Sequence, residues 1–176
     1  ETLTIGRTDG DMTYVKYKEQ VFKVSSDIIS FANDSSYNIV SKLQALVDIS
    51  EVKSVTVEYN GAEHTIDITH NDSDMTFVLD GQKVDTKITQ AIYKSIVGLA
   101  VDGVYKDETL GDTVMKIKYK GIKSSSDTEI EFKSIDDLYC ALIRNGKTEF
   151  TIKKSKLNEF MDLFNTYVEN PEKQGD

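Results

Sequence analysis

The sequence holds one proline, one cysteine and no tryptophan in 176 residues. With a lone cysteine, Cys140, no internal disulfide can form. Cys140 sits in the most apolar stretch and reads as a core residue rather than a nucleophile. So little cysteine suits the cytoplasm and the outside of many bacteria equally, and leaves the compartment undecided. Positive charge is also short: the net charge is −9 and the pI about 4.8, so nucleic acid and anionic membrane surfaces are poor partners. No apolar run reaches the roughly 18 residues of a membrane span, so the residues given are expected not to insert in a bilayer. No signal peptide is present, and the chain opens at Glu1 rather than Met, which leaves room for a leader or anchor upstream.

Catalytic signatures are missing as well. There is no Gly-x-Ser-x-Gly elbow, no phosphate loop, no dinucleotide fingerprint, no His-Glu-x-x-His and no Cys-x-x-Cys. No catalytic, cofactor-binding or metal-ligating residue is assigned, no cofactor is expected, and the chain does not read as an enzyme. Two acidic stretches read as polar turns rather than sites. The loop His70-Asn71-Asp72-Ser73-Asp74 spaces carboxylates closely enough to share a cation, but lacks the central glycine and distant glutamate of a calcium loop. Asp136-Asp137 reads as a turn, because adjacent carboxylates do not converge on a substrate. Ser124-Ser125-Ser126 has no recognisable base partner. Asn33-Asp34-Ser35 and Asn71-Asp72-Ser73 match the glycosylation rule, which matters only in a host that glycosylates.

What is present is patterning. At 39% hydrophobic content the chain can bury a core, as one domain or two small packed ones. Thr113–Val168 reads as four strands and a helix. The strands are Thr113–Lys120, Thr128–Lys133, Leu138–Arg144 and Lys147–Lys153, and the helix is Ser155–Val168. Ile130 and Phe132 alternate with charged neighbours, the period of a strand with one wet face. The almost unbroken apolar run Leu138–Ile143 suits a strand covered on both faces. Asn145-Gly146 is a two-residue hairpin turn. Leu157, Phe160, Met161 and Phe164 form a helical stripe that should lie on the sheet.

A similar order is expected upstream, with hairpins at Asn60-Gly61 and Asp80-Gly81, a helix capped by Asp85-Thr86, and Tyr59-Asn60-Gly61 laid on Tyr119-Lys120-Gly121. At the N-terminus, a strand at Glu1–Gly6 is followed by strands at Met12–Lys18 and Gln20–Val24. A short helix then carries Ile28, Ile29 and Phe31. Together these resemble a unit from its second strand onward, so the chain is expected to begin inside a longer array. A helix from about Tyr37 to Val47 would connect it to the rest. Strand tyrosines Tyr14, Tyr17, Tyr59, Tyr119 and Tyr139 could line a binding surface or serve packing.

Leu3-Thr4-Ile5-Gly6, Tyr14-Val15-Lys16, Val21-Phe22-Lys23-Val24 before a helix, and the later Val55-Thr56-Val57 carry a resemblance. The chain resembles an uncharacterised bacterial repeat family often encoded beside ABC-type exporters and gliding-motility-type auxiliary proteins. The resemblance implies a non-catalytic module outside the cytoplasm, tethered to the cell membrane by an N-terminal segment not in this chain. It implies envelope or ABC-exporter proteins as partners, and carries over no site residues.

The expected fold is therefore α+β: repeated antiparallel four-strand-plus-helix units, each sheet with a helix packed on one face. The expected divisions are 1–50 (a partial unit and connector helix), 51–105 and 106–170 (two full units) and 171–176 (a tail). The expected function is an interaction or scaffold module, with a peptide- or glycan-binding module as the alternative and an enzyme third. A binding module should show a concave aromatic patch, a scaffold an exposed sheet edge or an apolar patch.

Overall fold

A computed structural model describes residues 2–33, 36–71 and 74–170. The chain divides into two compact units, Glu1–Val40 and Ser41–Asp176. Asp34, Ser35, Asp72, Ser73 and 171–176, which carry the two glycosylation matches, part of the acidic loop and the tail, lie outside the described residues.

The N-terminal unit is a meander of β1 (Leu3–Asp9), β2 (Met12–Tyr17) and β3 (Gln20–Ser25), in the order β1-β2-β3. A 3-10 helix, Ser26–Asn33, follows, then the four-residue α1 (Ser36–Ile39). Gly10 and Lys18 take the positive φ that these tight turns need.

The C-terminal unit holds β4 (Val52–Tyr59), β5 (Ala62–Asn71), β6 (Asp74–Leu79), β7 (Gln82–Val84) and α2 (Thr86–Val97). It continues with β8 (Gly103–Val104), β9 (Thr113–Gly121), β10 (Thr128–Ser134), β11 (Tyr139–Arg144), β12 (Lys147–Lys153) and α3 (Lys154–Glu169). All nine strands join in one sheet, ordered β7-β6-β5-β4-β9-β10-β11-β12-β8.

That sheet overturns the expectation of repeated four-strand-plus-helix units. Among the described residues strand makes up 47% and helix 27%, and the strands form a three-stranded and a nine-stranded sheet. The physical reason lies at the centre, where β4 pairs antiparallel with β9, Val55 against Tyr119 and Val57 against Ile117. Two separate sheets would each leave a long apolar edge unpaired, and pairing removes both. Tyr119-Lys120-Gly121, laid on Tyr59-Asn60-Gly61, is no turn. Gly61 turns the chain at φ +77, whereas Gly121 stays in β9 opposite Val52. Gly121 is needed for close approach instead, since a Cβ there would stand 2.6 Å from Lys123 O and from Ser126 Cβ.

One face of the large sheet is apolar and dry. Val55, Val57, Tyr59, Ile66, Ile68, Phe77, Met115, Ile117, Tyr119, Ile130, Phe132 and Leu142 are all buried. α2 and α3 pack on it and on each other, with Phe164 edge-on to Tyr59 at 6.1 Å. The opposite face is charged. Lys118 pairs with Glu58, and Lys116 lies 3.7 Å from Glu129 and 3.8 Å from Glu131. The connection from β8 to β9 crosses β12, β11 and β10, because β8 lies beyond β12. Its path is marked where Tyr105 N–H donates to Glu149 O and Gly111 N–H donates to Ser134 O.

The connector helix expected over Tyr37–Val47 is also corrected: α helix ends at Ile39 and the chain then runs irregularly. Its carbonyls serve other elements. Lys42 O accepts from Val101 N–H, Gln44 O from the Arg144 guanidinium, and Ala45 O from the Tyr119 hydroxyl at 3.0 Å. A helix through Val47 would need the Lys42 carbonyl for the Leu46 N–H, which donates instead to Leu43 O. Ala45 is fully buried by this docking, and burial pushes the Tyr119 phenol well above its usual range.

Two hairpin residues do more than turn the chain. Asn145, at φ 49, donates its N–H to Glu129 O, while its Oδ1 accepts from Glu129 N–H at 2.8 Å. Asp80, at φ 48, makes the same pair of bonds to Thr65, 2.9 and 2.7 Å long. Each clips its hairpin to the strand before it. Asn145→Ala removes the side-chain acceptor and disfavours positive φ, and is expected to cost about 1–3 kcal/mol in urea unfolding. A change below about 0.5 kcal/mol would show that the clip contributes nothing.

Candidate interaction surface

The N-terminal unit hides little of its apolar surface. Val15 and Ile29 are its buried hydrophobic residues among those described, joined by Thr13. Register puts Ile5, Val15 and Phe22 in one cross-strand row, with Leu3 and Tyr17 in the row beside it. In these rows Leu3 is 48% exposed, Ile5 42% and Phe22 45%, while Val15 between Ile5 and Phe22 is buried, so apolar side chains face solvent at both edges of the sheet. All seven residues of β1 are exposed, as are the first four of β3.

The other face of this small sheet is cationic and aromatic. Thr4, Lys16 and Val21 share a row, and Tyr14 pairs with Lys23 in the next. Arg7 and Lys23 both stand over the Tyr14 ring, at 5.6 and 5.5 Å, whereas Lys18, in the turn, stands over Tyr17 of the apolar face at 5.2 Å. Such contacts favour the charged groups without neutralising them. Lys23 also meets Asp9 at 3.0 Å and Lys16 meets Glu19 at 3.3 Å, both as exposed pairs.

Edges distinguish the two sheets. The large sheet ends in β7 and β8, three and two residues long. Very short edge strands offer little template for another chain. The small sheet ends in β1 and β3, seven and six residues long. A register shift between Ile5 and Thr8 breaks the β1 ladder, whereas β2 and β3 pair without interruption from Met12–Ser25 to Tyr17–Gln20.

The residues weighed from sequence are dispersed. Tyr59 and Tyr119 are buried under the helices, Tyr139 is half-buried in β11, and Tyr14 and Tyr17 lie on opposite faces of the small sheet. His64 Nδ1–H donates to Asp80 at 2.7 Å, its ring packed near Tyr59 and Phe164, so it reinforces the hairpin clip. His70 Nε2–H donates to Val52 O at 2.7 Å. Asp136 Oδ1 accepts from the N–H groups of Leu138 and Tyr139, which makes it a turn residue. Ser124–Ser126 form a 3-10 turn. Cys140 is fully buried, and burial pushes its thiol up. Among the described residues no group of three or more His, Cys, Asp or Glu is placed to hold a metal ion. A depression of about 340 Å³ is lined by Glu58, Glu63 and Lys116, and one of about 510 Å³ by Asp137, Leu138 and Lys154. In neither does an acid face a base and a nucleophile together.

Sequence reasoning found the strands of the small sheet but not its significance. The signal was there in Val21-Phe22, two adjacent apolar residues on a strand too short of partners to bury both faces. The chain matches no protein-family model, no curated protein and no solved structure. No helix among the described residues is long and apolar enough to cross a membrane.

Proposed function

We propose that this chain is a non-catalytic interaction module of a bacterial envelope protein, held outside the cytoplasm by an N-terminal anchor and serving an ABC-type exporter as an accessory. The observation that carries the interaction reading is the N-terminal sheet, whose two long edges are unpaired among the described residues and carry the exposed apolar side chains of Leu3, Ile5 and Phe22. Exposed apolar strips and open edges mark surfaces that bind other proteins. The envelope and exporter parts of the reading rest on the family resemblance alone.

The test is crosslinking of the full-length protein in its native membranes, with a photoreactive residue at Val21, followed by mass spectrometry. Exporter subunits crosslinked at Val21, and not from a control position in β7, are the expected result. Glycan captured in place of protein would favour the binding-module reading, with Tyr14, on the face of Val21, as its contact. No protein captured from any position would sink the interaction reading.

A further inference from the structure

We propose that the free edge of β3 takes an extended segment of a partner protein as a fourth strand, with apolar side chains beside Phe22 alternating with acidic ones beside Lys23. The proposal rests on the interaction reading above and specifies its partner.

Strand addition needs an open, regular edge, because the incoming backbone must match a ladder of N–H and C=O groups. β3 has one, since its six register pairs with β2 are unbroken and, among the described residues, no strand pairs with its other side. β1 is the poorer template, with its ladder interrupted between Ile5 and Thr8. Val21 at 64% and Phe22 at 45% exposure lie on opposite faces at that edge. A chain laid along β3 would therefore cover apolar side chains on both faces at once.

The two faces ask for different residues. Beside Phe22 the sheet continues through Val15 to Ile5, an apolar row. Beside Lys23 lie Tyr14 and Arg7, and in the next row Lys16. Leu3–Ser25 carries four cations against three acids, in a chain whose net charge is −9. Cations here are held by rings and by exposed pairs with Asp9 and Glu19, which contribute about 0–1 kcal/mol and exchange readily. Among the described residues neither Arg7 nor Lys18 pairs with a carboxylate. An acidic side chain on this face completes the charge, and a lysine there would meet like charges.

A second copy of the chain fits less well. Three strands about 6 residues long present a face of roughly 20 by 14 Å, on the order of 300 Å². A stable interface needs about 800 Å² from each partner. Edge-to-edge joining of two copies would set their cations side by side.

The experiment uses the whole chain and a fluorescent ten-residue peptide alternating glutamate and valine, followed by anisotropy. The expected result is saturable binding that weakens at least ten-fold when lysine replaces glutamate. Lys23→Glu should weaken the glutamate peptide by a similar factor. N-methylation of alternate peptide amides, which leaves this protein untouched, should abolish binding by blocking the ladder. Absence of binding by the glutamate peptide would overturn the proposal. So would equal binding of the lysine peptide, or of the N-methylated one, since the second would show attraction by charge alone. The assay involves no membrane and no exporter, so its failure leaves crosslinking at Val21 free to stand, and the converse holds.

Discussion

Replacing Ile117 by alanine is expected to destabilise the C-terminal unit by about 2–5 kcal/mol. Ile117 is fully buried, and it is the middle residue of a row that runs from Val57 in β4 to Ile130 in β10. Truncation leaves a cavity that flat, hydrogen-bonded neighbours cannot close. The loss should appear as a lower urea midpoint with an unchanged slope. Because β4 and β9 share a ladder, amides of β4–β6 and of β10–β12 should lose hydrogen-exchange protection together. Loss in β10–β12 with β4–β6 untouched would show two independent sheets and contradict the nine-stranded one.

Asp102→Asn is the second large effect, expected at about 1.5–3 kcal/mol near neutral pH. Asp102 joins the start of β8 to the start of α3. Its carboxylate accepts from Lys156 Nζ at 2.8 Å and from Lys153 N–H at 2.9 Å, while Lys156 also donates to Ala100 O. α3 has no side-chain cap of its own at Lys153, so this distant aspartate serves its first turn. Burial works against the charged carboxyl, but Lys156 and the Lys153 N–H outweigh it and hold the group below the usual carboxylate range. A lowered folded-state pKa gives stability that is complete above the unfolded-state value, about 3.9, and is lost as pH falls through the folded one. The gap between wild type and Asp102→Asn should therefore be constant from pH 7 to about 5 and close below about 4. Urea midpoints at pH 7, 5 and 3 read it directly, and a gap that does not change with pH would refute the ionic account.

Local chemistry made part of this architecture legible. Asn60-Gly61, Asp80-Gly81 and Asn145-Gly146 mark hairpins because positive φ at both turn positions excludes most residues, and all three turn the chain there. Asp85 caps α2 as its position foretold, accepting from Lys87 N–H at 2.7 Å. Strand pairing was not legible in the same way. A period of two fixes which face of β4 is buried, but Val55 and Val57 would alternate identically whatever strand lay beside them. The connector failed for a related reason. Ile39, Val40, Leu43 and Val47 have helical spacing, yet the carbonyls of Lys42, Gln44 and Ala45 were claimed by residues far along the sequence. At the candidate surface the apolar and cationic residues were all visible, but only register shows that Phe22 and Lys23 lie on opposite faces of one open edge.

The pairing of β4 with β9 also sets a timetable for synthesis. β4 is complete at Tyr59, and its second neighbour is not complete until Gly121. At about 5–20 residues per second, the nascent chain carries an unpaired Val52–Tyr59 edge for about 3–12 s. β8 waits in the same way for β12, which ends at Lys153. The ribosome thus displays the future centre of the sheet as an edge, and a chaperone that guards emerging chains would find its target there.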